Sequence, residues 1–183
     1  MGVLELDKKE TDMVELFSEE AIQQRVKELA DKINEDFKGG ETLHLICVLK
    51  GSSYFAIDLS RHIKNPVQIE FVRLSSYGNE QESSRTVKSV DLTLPNLSDK
   101  NVIIVEDIID TGHTAQFMWN YINNQHKAKR VEFVALLDKK CKREVDVKVN
   151  YTGFVIDDKF VIGYGLDYMG YYRNLKYIGH FPQ

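Results

Sequence analysis

Cysteine is scarce: only Cys47 and Cys141 occur in 183 residues. Two thiols are too few for a disulfide framework, and a reducing cytoplasm is the simplest expectation. Proline is scarce as well, at three, and no Pro/Gly/Ser-rich linker or internal repeat divides the chain. Long apolar runs are missing, the best being Leu45–Leu49 and Val102–Val105. A membrane-spanning helix needs about 20 apolar residues, so none is expected. The opening MGVLELDKKETD has no basic-then-apolar pattern, and no signal peptide is expected. Gly2 is not followed by the Ser or Thr of a myristoylation signal, because Leu6 stands in that place. An excess of positive charge is absent too. The net charge is −4, which argues against nucleic acid as a partner. No GxxxxGK[ST] loop, CxxC pair or HxxH pair is present, and Gly163-Tyr164-Gly165 starts a GxGxxG that Tyr168 breaks.

What remains is an ordinary globular composition, 43% apolar and 28% charged, enough for one well-buried domain. Ser18 fits a helix N-cap, with Glu19 and Glu20 in the first turn. Ile22, Val26, Leu29, Ile33 and Phe37 then recur every three or four residues, one buried stripe, before Gly39-Gly40. Thr42–Leu49 reads as a buried strand, and Phe55, Leu59 and Ile63 predict a second helix. Val67–Leu74 predicts another strand. Ser75–Ser89 holds almost nothing apolar and reads as a long polar loop, the kind that is either a functional lid or disordered. Asn101–Val105 is the cleanest strand. A helix through Ala115, Met118, Trp119 and Ile122 follows, then a strand at Arg130–Leu137. Alternating strands and helices predict an α/β fold with a mostly parallel central sheet flanked by helices.

Ligands of such sheets bind beyond the carboxyl ends of the strands. There the string VIIVEDIIDTGHT (Val102–Thr114) carries chemistry. Four aliphatics lead to Glu106 and Asp107, then to Asp110, and Thr111-Gly112-His113-Thr114 enters a helix. Hydroxyls, a glycine and free amides at a helix start suit a phosphate. Carboxylates beside a phosphate repel it unless they serve ribose hydroxyls or Mg²⁺. The local pattern therefore predicts a ribose 5-phosphate cradle. Solvated acids before a capped helix would explain an EDxxD alone, but not the whole string.

That string resembles the phosphoribosyl-pyrophosphate (PRPP) signature of the type I phosphoribosyltransferases. LKGS (Leu49–Ser52), SSYG (Ser75–Gly78), LLDKK (Leu136–Lys140), DKFVIGYGLDY (Asp158–Tyr168) and YRNL (Tyr172–Leu175) follow in family order. Together they resemble the hypoxanthine-guanine, or 6-oxopurine, branch across nearly the whole chain. The resemblance implies a single phosphoribosyltransferase domain, with a core at about 18–150 and a small hood from the N-terminal segment and about 151–183. It implies transfer of phosphoribose from PRPP to hypoxanthine or guanine in purine salvage, giving IMP or GMP and pyrophosphate. Whether xanthine is also taken stays open at this stage. The transition state would be oxocarbenium-like and need no covalent nucleophile.

The residue roles are likewise implied. Asp110 would be the general base near the purine. Glu106 and Asp107 would hold the ribose hydroxyls directly or through Mg²⁺. Asp110, Thr111, Gly112, His113 and Thr114 would form the 5-phosphate loop. Lys50 and Gly51, preceded by a Leu49–Lys50 peptide that can be cis, would meet pyrophosphate together with Arg173. His113 departs from the Lys or apolar residue frequent in the family, and phosphate binding through its imidazole would weaken from pH 6 to 8. Lys139, which can only donate, would select a 6-oxo group over the amino group of adenine. Phe160 would stack on the purine, Val161 would offer backbone groups, and Asp167 would lie near the base and ligate Mg²⁺. The metal set is thus Glu106, Asp107 and Asp167. Ser76 and Tyr77 would tip the mobile lid, excluding water from the reacting carbon. A homodimer or homotetramer with no membrane or nucleic-acid partner completes the expectation. A regulator of the same fold that binds RNA is the competing class, disfavoured by the charge and by the complete set of acids.

Overall fold

The computed structural model describes residues 9–77 and 86–182. After a short 3₁₀ turn, strand β1 (Val14–Phe17) leads into helix α1 (Glu19–Asp36). The Ser18 hydroxyl accepts a hydrogen bond from the Ala21 amide at 3.3 Å, capping α1 as expected. Ile22, Val26, Leu29 and Ile33 are fully buried along one face. Strand β2 (Leu43–Leu49), helix α2 (Ser53–His62) and strand β3 (Val67–Tyr77) follow, then β4 (Thr86–Asp91), β5 (Asn101–Ile109) and α3 (His113–Tyr121). The chain closes with β6 (Arg130–Asp138), β7 (Tyr151–Val155) and β8 (Ile178–His180).

The main sheet has the order β4-β3-β2-β5-β6-β7. Five of its strands are parallel, from β3 through β7, and β4 adds an antiparallel edge. Alternation along β2 separates the two faces. Leu45 and Cys47 pack with α1 and α2 in one apolar cluster. Ile46 and Val48 pack in a second, with Ala115 and Met118 of α3. Both faces of the sheet are thus covered, as parallel strands require. Trp119 is the exception to the expected α3 stripe. It is 47% exposed, while Ala115, Met118 and Ile122 are buried.

Three expected boundaries are corrected. The polar stretch Ser75–Ser89 is not all loop. Ser75–Tyr77 completes β3, and β4 begins at Thr86, with Tyr77 opposite Thr86 and Ser76 opposite Val87. Backbone pairing, which polarity does not forbid, extends both strands. The expected loop tip at Ser76 and Tyr77 is thus strand, and residues 78–85 lie outside the described residues. Strand β5 does not stop at Val105 but runs to Ile109, because its ladder with β6 continues from Glu106↔Ala135 to Ile109↔Asp138. The expected division at residue 151 also moves. Tyr151–Val155 belongs to the main sheet beside β6, and the Tyr151 hydroxyl is tied to Asp36 of α1 at 2.7 Å. The smaller unit is the antiparallel pair β1–β8, with Val14 opposite His180, and the turns from Ile156 onward.

Candidate active site

Extension of β5 puts Glu106 and Asp107 inside a strand, with side chains on opposite faces. Glu106 is 5% exposed, and its Oε1 has no hydrogen-bond partner. Burial, then the neighbouring Asp107 charge, pushes its carboxyl well above the usual range. Burial also pushes Asp107 up to about 6, opposed by hydrogen bonds from backbone amides, of which Ile108 N–H donates at 2.8 Å. A strand that buries Glu106 with a free acceptor oxygen and half-buries Asp107 beside it is held at a cost to folding, the mark of a site kept for chemistry. Cys47, on adjacent β2, is pushed by burial up to about 11 and is no nucleophile at neutral pH.

The loop after β2 lies directly against this strand. Its Leu49–Lys50 peptide is cis, and the Lys50 side chain is exposed. A β-carbon on Gly51 would fall 1.4 Å from Asp107 Oδ2, so only glycine fits there with the carboxylate in place. A β-carbon on Gly165, whose φ is +101°, would fall 1.9 Å from the Gly51 carbonyl oxygen. Residues 51, 107 and 165 are therefore stacked in contact. Arg173 closes the stack, donating from Nη1 to the Gly165 carbonyl at 2.6 Å and pairing through Nη2 with Asp167 Oδ1 at 2.5 Å. Asp167 Oδ2 accepts from the Gly170 amide at 2.7 Å. The Arg173 and Asp167 charges both reach Asp107.

After β5, Asp110 is exposed, and Gly112 at φ +92° caps α3. A β-carbon there would come within 3.0 Å of Arg143 and Val145 side chains. The segment following β6 braces this turn. Glu144 and Val145 amides donate to the Thr111 carbonyl, and Arg143 Nε donates to the Asp110 carbonyl at 3.3 Å. Arg143 is fixed in turn by an ion pair with buried Asp138. Thr111 and Thr114 are half-buried at the start of α3. His113 Nε2 lies 2.9 Å from Glu144 Oε2, so its imidazole is occupied by a carboxylate.

Lys139 follows β6 directly. Its backbone N–H donates to the Ile109 carbonyl, and its side chain is only 8% exposed. Its ammonium lies 4.0 Å from Asp158, which also pairs with Lys142 at 2.7 Å. That contact with Lys142 holds the Asp158 carboxyl below its ordinary range. Phe160 is 63% exposed and meets Tyr168 edge-on, at 6.2 Å between ring centres. The two rings line a cavity of about 600 Å³ with Asp158, His180 and Phe181. Val161 is buried. Ser76 and Tyr77, expected at the tip of a loop, end β3 instead and pair with Val87 and Thr86 of β4. Sequence reasoning gave no role to Arg143, Asp138 or Asp158, because their ion pairs form only in the fold. Asp138 and Arg143 lie in a charge run that reads equally as a solvated turn, and Asp158 opens the string Asp158–Tyr168 with no sign of its lysine partners.

Sheet order, acids at the carboxyl end of the central strand and a glycine-capped helix behind them define a phosphoribosyltransferase-type site. A family profile described as a phosphoribosyl transferase domain matches residues 13–169. The chain is 42% identical over 165 residues to the hypoxanthine-guanine phosphoribosyltransferase of Bacillus subtilis, covering 90% of each. It is 39% identical over 164 residues to the bifunctional protein TilS/HprT of Listeria monocytogenes, and there it spans only a quarter of the relative's length. Among solved structures, a hypoxanthine-guanine phosphoribosyltransferase from Bacillus anthracis superposes with a TM-score of 0.86 at 48% identity, covering 91% of this chain and 97% of that one. The Staphylococcus aureus hypoxanthine phosphoribosyltransferase gives 0.89 at 38% identity, over 94% and 93%. The chain belongs to the phosphoribosyltransferase family and, within it, to the hypoxanthine-guanine phosphoribosyltransferases.

Proposed function

We propose that this chain transfers the 5-phosphoribosyl group of PRPP to hypoxanthine or guanine, releasing pyrophosphate and yielding IMP or GMP for purine salvage in the cytoplasm. The observation that carries this reading is the unpartnered, buried Glu106 Oε1, next along the strand to the Asp107 carboxylate that rests on Gly51. A buried acceptor without a donor is costly. Ribose 2- and 3-hydroxyls are donors of the right kind, and PRPP brings them with a 5-phosphate for the amides of Thr111–Thr114.

The residues divide the work by their chemistry. Gly112 opens the α3 N-terminus to the 5-phosphate. Lys50, the Gly51 amide and Arg173 face the pyrophosphate, Arg173 exchanging Asp167 for a bidentate phosphate contact. Lys139 donates to the 6-oxo group, and the exposed ring of Phe160 stacks on the purine while Val161 offers its backbone. Asp110, exposed at the end of β5, takes the purine proton as C–N bond formation proceeds, a role worth about 10² to 10⁴ in rate. The lid at Ser76 and Tyr77 excludes water.

Among the described residues no three His, Cys, Asp or Glu side chains are grouped to hold a metal. That suits Mg²⁺ on a substrate, which takes one or two carboxylates and fills its shell with phosphate oxygens and water. Glu106, Asp107 and Asp167 supply hard oxygen donors of this kind. Bound Mg²⁺ would neutralise the pyrophosphate charge. Residues 1–183 act as one phosphoribosyltransferase domain, with the β1–β8 unit as a hood over the base. The active form is a homodimer or homotetramer.

The test is a spectrophotometric assay with PRPP and Mg²⁺, offering hypoxanthine, guanine, xanthine and adenine separately. Turnover of the first two, abolished by EDTA and reduced at least 100-fold in Asp110→Ala, is the expected result. No turnover with any base by a protein that still binds PRPP would overturn the proposal.

A further inference from the structure

Tyr164 stands between Gly163, which packs on the Tyr177 carbonyl, and Gly165, which packs on the Gly51 carbonyl. All three residues have positive φ: 101° at Gly163, 47° at Tyr164 and 101° at Gly165. For a bulky side chain this backbone is unfavourable and persists only when its surroundings hold it. The holding contacts are specific. The Tyr164 hydroxyl donates to Asp58 Oδ2 at 2.7 Å, and its amide donates to the Leu175 carbonyl at 2.9 Å. Asp58 Oδ2 accepts a second bond, from Gln23 Nε2 of α1 at 2.9 Å, and Oδ1 pairs with Arg61 at 3.3 Å. Tyr164 itself is 4% exposed.

Asp58 sits on α2, whose N-terminus is the Lys50-Gly51 loop. Tyr164 sits on the segment that carries Asp167 and Arg173. The hydroxyl–carboxylate bond thus joins the two arms of one anion site, 106 residues apart in the chain. Between them, Gly165 rests on the Gly51 carbonyl and Gly51 rests on the Asp107 carboxylate. A loosened Tyr164 would let Gly165 retreat from Gly51, and the Arg173 guanidinium, bonded to the Gly165 carbonyl, would retreat with it.

Resting on the proposed PRPP reading, we propose that Asp58 and Tyr164 are positioning residues that set the gap between the Lys50-Gly51 loop and Arg173, and so the affinity for the pyrophosphate group. Neither touches substrate. The expected signature is selective: pyrophosphate and PRPP bind more weakly, while the base side of the site is unaffected.

The experiment measures calorimetric binding of pyrophosphate with Mg²⁺ to wild type, Tyr164→Phe, Asp58→Ala and Asp58→Asn. Tyr164→Phe removes one oxygen and keeps the ring. Its Kd should rise about tenfold, the effect of one hydrogen bond to a charged partner. Asp58→Ala should match it. Asp58→Asn, whose amide oxygen still accepts from the tyrosine, should recover most of the loss. A parallel assay should show KM for PRPP rising with the pyrophosphate Kd and KM for hypoxanthine within about twofold. Tyr164→Phe that is folded and binds pyrophosphate as wild type does would overturn the proposal. A variant that is less stable but binds normally would do the same, by reducing the pair to scaffold. Absence of turnover in wild type would count against the assigned reaction, and the pyrophosphate Kd series would still decide the positioning role.

Discussion

The carboxylate of Asp107 rests on the α-carbon of Gly51, so close that a methyl group at residue 51 would overlap Oδ2 at 1.4 Å. The contact joins the loop after one parallel strand to the interior of the next. Asp107 is an end-of-chain carboxylate that can rotate away, whereas Gly165 presses its α-carbon on a backbone carbonyl that cannot.

Two alanine substitutions should therefore behave differently. Gly51→Ala should keep its fold, with a Tm within a few degrees of wild type, and lose at least about 100-fold in kcat/KM for PRPP by expelling the Asp107 carboxylate. Gly165→Ala, forced to hold φ +101° against the Gly51 carbonyl, should lose stability as well, by about 2 kcal/mol or more. Thermal melts alongside kinetics separate the two, and equal Tm losses would contradict the distinction.

Asp107 should make the protein less stable as pH rises. Its carboxyl titrates at about 6 in the folded chain against an ordinary 3.8. Below about pH 4 both states are protonated and nothing is lost. Between about 4 and 6 the unfolded state sheds its proton first, and above 6 the folded state carries the full burden of a buried charge. Asp107→Asn should thus melt higher than wild type at pH 8, by up to about 3 kcal/mol in stability, with the gap closing near pH 4. If Asp107 accepts from ribose hydroxyls as proposed, the same titration should lower kcat/KM for PRPP in wild type below about pH 6, as that acceptor is protonated.

Lys139 should control the choice of base. Lys139→Gln replaces a buried, donor-only group with one that also accepts. Hypoxanthine kcat/KM should fall about 10- to 100-fold, the range for a hydrogen bond from a charged group, and the hypoxanthine-to-adenine ratio should fall with it. An unchanged ratio in the four-base assay would place discrimination elsewhere.

His113 should matter little through its side chain. Its imidazole is spoken for by Glu144 at 2.9 Å. His113→Ala should alter KM for PRPP by no more than about twofold, the scale of an exposed ion pair, with the same profile from pH 6 to 8. A flattened profile in the variant would show that the imidazolium reaches the phosphate after all.

Local signals were readable in the chain and long-range ones were not. Helix α1 was legible because its cap and stripe lie within 20 residues of each other, as hydrogen bonding at Ser18 and burial at Ile22 through Ile33 bear out. Strand β4 was hidden in a polar stretch, since its pairing depends on a partner, β3, and not on its own hydrophobicity. The end of β5 was misjudged for a related reason. Two acids read as a strand terminus, yet the ladder to β6 continues through them. The acids, Gly51, Lys139 and Arg173 stood out through their motifs. What holds them did not: Arg143 on the Asp110 carbonyl and Tyr164 on Asp58 are pairings that only the folded chain makes.

The pairing of β1 with β8 fixes an order of events during synthesis. Val14 emerges from the ribosome early, but its partner His180 is made 166 residues later. The five parallel strands are complete once residue 155 is out, so the sheet has its full complement of partners before the small unit has any. Val14–Phe17 must therefore wait as an unpaired edge while the rest of the chain folds, and edges of this kind are where nascent chains associate wrongly. It is short and carries Glu15, two features that make waiting safe.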